Sequence, residues 1–160
     1  MATNETDDDR IYADLAESVL TLAREIRLRE AELEDTISLT PSYAQVMRYV
    51  STHPGATPSE TADATGLLRS NLSTALRELE KIGFVEKRQS AEDGRGVRLY
   101  PTDTALGNLG RVREQWAADA ERLLGKTTGV SRTTTMLRTL AEGLAAERQA
   151  AGRQWSRRQM

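Results

Sequence analysis

The chain has 160 residues, 38% hydrophobic and 29% charged, with a formal net charge of −2. That length fits one domain, or one small domain with an oligomerisation arm, and the balance excludes a disordered chain. With no cysteine and one histidine, disulfides, thiolate metal sites and most conventional catalytic arrangements fall away, so no enzyme activity, metal or cofactor is expected.

Residues 1–8 are expected to be a disordered acidic lead-in, without the basic and apolar regions of a signal peptide. No apolar run reaches membrane-spanning length, and the expectation is a cytoplasmic protein with no membrane partner. Ile11, Leu15, Val19, Leu22, Ile26 and Leu33 recur at helical spacing and predict one long amphipathic helix from about Asp9 to Asp35. Its stripe is too long for a small domain to cover alone. Residues 9–38 are therefore assigned to dimerisation.

Thr40-Pro41 opens a second helix, with a capping threonine and proline at the first helical position. Tyr43, Met47 and Val50 form its apolar stripe, and His53-Pro54-Gly55 ends it. His53, at that helix end, suits a charged imidazole facing the helix dipole. Thr57-Pro58-Ser59-Glu60 predicts a capping box opening a short third helix that stops at Gly66. A fourth helix is predicted from about Leu68 to Ile82, with Leu72, Ala75, Leu76, Leu79 and Ile82 inward and Gly83 ending it.

Residues 84–88 and 97–100 read as two strands joined by a turn containing Asp93-Gly94 and Gly96. Pro101 ends the second strand, and Thr102 caps a fifth helix to about Leu124, with Leu106, Leu109, Trp116, Ala120 and Leu123 inward. A break at Gly125–Gly129 precedes a sixth helix from Ser131, with Leu137, Leu140, Leu144 and Arg148 in register. Residues 102–151 are assigned to dimerisation and residues 152–160 to a basic tail expected to be disordered.

The functional constellation lies at residues 39–101, predicted to be a winged helix-turn-helix DNA-binding domain. Ala62 is small where two helices approach, Gly66 permits a left-handed turn, and Leu72 fills the angle between them. Ser70, Ser73, Thr74 and Arg77 share the outward face of the fourth helix, with Arg69 and Asn71 beside its N-terminus. Hydroxyls, an amide and guanidinium groups are the types that read base edges and hold phosphates. Arg88, Arg95 and Arg98 decorate the ribbon, where an arginine at the tip suits a narrow minor groove. Asp93 is placed to hold the Arg95 guanidinium.

Charge is segregated accordingly. Residues 1–35 carry eleven acids against four arginines, whereas residues 68–101 carry seven basic side chains against five acids.

From Leu39 to Gly110 the chain resembles the MarR family of regulators, above all at Asp93-Gly94-Arg95-Gly96-Val97-Arg98-Leu99-Tyr100-Pro101-Thr102. Glu78 to Val85 is similar to that family's link from recognition helix to wing. The resemblance implies a mainly α fold with a small β-wing, and a homodimer held by the terminal helices. It also implies a pseudo-palindromic double-stranded DNA operator and regulation, as a repressor, by a small aromatic effector. Leu68 departs from the pattern, because the family has serine or threonine at the start of the recognition helix. Tyr12, Tyr43, Met47 and Trp116 are the candidate effector-pocket residues. The alternative reading is a winged-helix protein-interaction module without DNA binding, motivated by the small local charge excess.

Overall fold

A computed structural model describes residues 7–33, 36–89 and 96–158. The order is α1 (Asp7–Glu30), α2 (Pro41–Thr52), α3 (Pro58–Thr65), α4 (Arg69–Lys81), β1 (Val85–Gln89), β2 (Val97–Pro101), α5 (Asp103–Leu124) and α6 (Val130–Arg158). This is the expected mainly helical fold with a two-stranded wing.

Local chemistry sets most of the boundaries. The Thr40 hydroxyl accepts from Tyr43 N, and the Thr102 hydroxyl from Ala105 N, closing the first turns of α2 and α5. The capping box at α3 forms as predicted, with Thr57 and Glu60 bonding each other's backbone N–H. Hydrogen bonds from the Thr57 backbone and hydroxyl hold the Glu60 carboxyl below the usual carboxylate range. Gly66 ends α3 at φ +70°, a left-handed conformation that costs glycine little. His53 caps the C-terminal end of α2 and stacks on the Tyr49 ring, with centroids 4.3 Å apart.

β1 and β2 pair antiparallel from Val85↔Pro101 to Gln89↔Val97. Gly55 N donates to Leu99 O, and Leu99 N to Ala56 O, so the loop after α2 extends the ribbon by one bridge.

One core unites these elements. Val46, Met47 and Val50 of α2 meet Leu72, Ala75, Leu76 and Leu79 of α4, with Ala62, Phe84, Val85, Leu99 and Ala105 closing round them. Burying a leucine or phenylalanine fully contributes roughly 1.5–3 kcal/mol, so Leu79, Phe84 and Leu99 hold the α4–wing junction.

Several expectations need correction. α1 ends at Glu30 rather than near Asp35, and Ile11, Val19 and Leu22 on its stripe are exposed. Ile82 lies just past α4 as its C-terminal cap and is exposed, because the chain turns at Gly83 before another inward position is reached. In α5 the buried residues are Ala105 and Asn108, with Leu109, Val112 and Trp116 half-buried, whereas Leu106, Ala120 and Leu123 face outward. α6 continues as a helix through Arg158, past the predicted end at residue 151.

Candidate nucleic-acid interface

α3, the Gly66 turn and α4 form a helix-turn-helix. Leu72 is buried in the angle between the two helices, against the same core as Ala62. With that apolar face fixed inward, Arg69, Ser70, Asn71, Ser73, Thr74 and Arg77 are all exposed. The exposed Thr74 hydroxyl donates to Ser70 O one turn back at 3.2 Å. Leu68 occupies the N-cap position of α4 and makes no side-chain capping bond. The helix therefore begins at Arg69 with its first amides free of a side-chain cap.

The charges around α4 are sorted. Glu80 pairs with Lys87 of β1, Glu78 lies 4.0 Å from Lys81, and Glu86 pairs with Arg88 at 2.9 Å. Among the described residues Arg69 and Arg77 enter no ion pair. The acids near the outward face are thus matched by cations, while two guanidinium groups on that face stay available. Surface pairs of this kind add little stability; their effect here is on the local field.

The wing arginines separate into different roles. Arg98 is half-buried, and its Nη1 donates to Gly55 O at 3.1 Å, tying β2 to the loop after α2. The Arg88 guanidinium lies 4.4 Å from the centroid of the Tyr100 ring and bonds Glu86. Strand alternation puts Glu86, Arg88, Arg98 and Tyr100 on one face of the ribbon. Lys87 and Val97 occupy the other face and line a cleft with Arg69, Leu72 and Ser73. Lys87, not Arg88 or Arg98, is therefore the wing cation beside α4, and sequence reasoning missed it. Asp93 and Arg95 lie outside the described residues, as do residues 1–6.

A second feature sits between the winged domain and α5. A cavity of about 50 Å³ is lined by residues including Ile37, Leu39, Met47, Asn108, Val112 and Trp116. Asn108, buried on the inner face of α5, accepts from Ile37 N at 2.7 Å and donates to Ile37 O at 3.3 Å. One carboxamide thus clamps the segment after α1 as a neighbouring strand would. Arg29 adds a second tie, at 3.4 Å from Asp119. Hydrogen bonds from Arg122 and Gln115, then Arg29, hold the Asp119 carboxyl below its usual range. The Trp116 indole N–H is buried without an acceptor among the described residues.

Of the four residues predicted to line a pocket, Met47 and Trp116 meet here. Tyr12 is exposed on α1, and Tyr43 is half-buried against the winged-domain core, so neither lines the cavity. Asn108 and Arg29 were missed. A lone asparagine three residues after Ala105 and four before Val112, on an apolar face, is the signal that points to the clamp.

Among the described residues no helix is long and apolar enough to cross a membrane, and no group of three or more His, Asp or Glu side chains is placed to hold a metal ion.

Residues 37–96 match the family model described as the MarR family. No curated protein matches the chain in sequence. Among solved structures, FabT of Streptococcus pneumoniae in complex with DNA superposes with a TM-score of 0.64 at 20% identity, over 83% of this chain and 96% of that one. NadR in complex with 4-hydroxyphenylacetate superposes at 0.61 and 20% identity, over 91% and 96% of the two chains. MarR superposes at 0.58 and 25% identity, over 84% and 98%. Over residues 37–96 the chain is similar to the MarR family, and its fold is the winged helix-turn-helix that these solved structures share.

Proposed function

We propose that this protein is a DNA-binding transcription regulator, acting as a homodimer that represses from a pseudo-palindromic operator. The observation that carries this reading is the outward face of α4. It offers Arg69, Ser70, Asn71, Ser73, Thr74 and Arg77 to solvent, with both guanidinium groups outside any ion pair among the described residues and the neighbouring acids matched by cations. Such a helix fits a major groove, where arginine reads guanine and hydroxyls and amides read other base edges. The Arg69 guanidinium, beside the first turn of α4, would hold a flanking phosphate. Binding by a structural relative, FabT, to DNA supports the same reading.

The dimer follows from the terminal helices. Val19, Leu22, Leu123, Leu140 and Leu144 are exposed on α1, α5 and α6, and a two-fold partner covers such surfaces economically. The two copies of α4 would then sit about 34 Å apart, one turn of duplex. The acidic α1 would face away from phosphate.

An effector would enter beside Asn108 and Trp116, where the indole N–H lacks an acceptor among the described residues. A cavity of about 50 Å³ is small beside the roughly 150 Å³ that admits a benzene ring. An aromatic effector must therefore open the cavity, and the Asn108–Ile37 clamp is the contact it would strain. NadR, solved in complex with 4-hydroxyphenylacetate, supports binding of a small phenolic compound on this fold.

The test is selection of bound duplexes from a random pool by the purified protein, with and without phenolic acids. Enrichment of a two-fold-symmetric sequence that weakens steeply with salt is expected. A pool that stays random through repeated rounds overturns the reading.

A further inference from the structure

We propose that Arg148 is a positioning residue for the helix-turn-helix. Reaching from α6, its guanidinium closes the C-terminal end of α3 and so fixes the turn from which α4 projects.

The argument starts from α3 itself. A helix of eight residues is too short to be stable alone, and its last four carbonyls have no partner within the helix. Each of the four has a specific partner here. Gly66 N donates to Ala62 O at 2.8 Å. Gln45 Nε2, from α2, donates to Thr65 O at 2.9 Å. Arg148 supplies the other two, with Nη1 donating to Asp63 O at 3.1 Å and Nη2 to Ala64 O at 2.8 Å.

A planar guanidinium suits this place. Its forked N–H groups span two successive carbonyls, and its charge meets the negative end of the α3 dipole. A lysine ammonium offers the charge without the fork. Gly66 fits the same contact for a second reason besides its positive φ: a Cβ there would lie 2.6 Å from Arg148 Nη1. With glycine there, the guanidinium reaches the two carbonyls without having to shift.

The contact matters because of where Arg148 is anchored. The side chains of α6 are mostly exposed, with only Leu137, Ala145 and Gln149 half-buried among those described. Arg148 is a hydrogen-bonded tie from this helix to the winged domain, and it lands on the turn that aims α4. The placement of α6 and the angle of the recognition helix are thereby linked.

The link to DNA affinity rests on the function proposed above, and the following experiment separates the two ideas. Arg148→Ala and Arg148→Lys are made in the full chain. Amide hydrogen exchange at Thr65, Gly66 and Leu67 is measured, with oligomeric state and the affinity and salt slope for selected duplex. Arg148→Ala is expected to speed exchange there about threefold to tenfold with oligomeric state unchanged. Affinity should fall by a similar factor at an unchanged salt slope, and Arg148→Lys should recover little of either loss.

Unaltered exchange at this turn in Arg148→Ala overturns the proposal. So does a salt slope shallower by about one unit while exchange stays as in the wild type, because Arg148 would then be a phosphate ligand. Should wild-type protein bind no DNA, the regulator reading fails, and the exchange arm alone decides the role of Arg148.

Discussion

Helices α4 and α6 are both built on leucines three and four residues apart, and they end in opposite circumstances. Leu72, Leu76 and Leu79 of α4 are 2%, 3% and 0% exposed, whereas Leu140 and Leu144 of α6 are 45% and 60% exposed. The spacing is equivalent; the partners differ. α4 meets apolar side chains of α2, the wing and the start of α5, all from its own chain. α6 meets little beyond the end of α3. Periodicity states that a face is apolar, but not what will cover it. The winged domain is a closed core with a polar face of α4 outward, and the terminal helices carry apolar side chains that their own chain leaves exposed.

The contrast can be broken by substitution, beginning with the closed region. Leu79→Ala removes a side chain with no exposure and is expected to destabilise the protein by about 2–5 kcal/mol, read from denaturant unfolding. A loss below roughly 1 kcal/mol would mean that α4 is not locked as described. At the border between the regions, Asn108→Ala leaves the Ile37 N–H and carbonyl without their partner. The expected loss is about 1–3 kcal/mol, with faster amide exchange at Ile37.

In the open region, Leu144→Asp should spare the melting of the winged domain and weaken self-association about tenfold or more, read by sedimentation. Retention of wild-type association would remove α6 from the interface. The smallest effect is a gain. Leu68 is 72% exposed at a position with no capping bond, so Leu68→Ser should stabilise by about 0.5–1 kcal/mol in thermal melting.

How far the sequence could be read follows the same division. Thr57-x-x-Glu60, Gly66, Leu72 and the Thr102 cap are local signals, and each determines its own geometry within a few residues. The helix-turn-helix and wing were therefore legible. The inward face of α5 was not, because a helix with leucines on several sides gives no single stripe. Leu106 and Leu123 looked like core residues, and the buried positions went to Ala105 and Asn108. The Asn108 clamp and the Arg148 cap join residues 71 and about 85 positions apart, and no local pattern encodes such a meeting. Arg88 and Arg98 were legible as cations. Their fates, stacked on Tyr100 and bonded to Gly55 O, depend on strand register and on a loop distant in sequence.

The recognition face of α4 is tested most directly by the ratio of affinities for a selected duplex and a scrambled one, measured for wild type and for Arg77→Ala at fixed salt. Wild type should prefer the selected duplex by about a thousandfold or more, and Arg77→Ala should narrow that ratio about fivefold to a hundredfold. Equal affinity of the wild type for both duplexes, or a preference that survives Arg77→Ala together with Ser73→Ala and Thr74→Ala, would contradict the account.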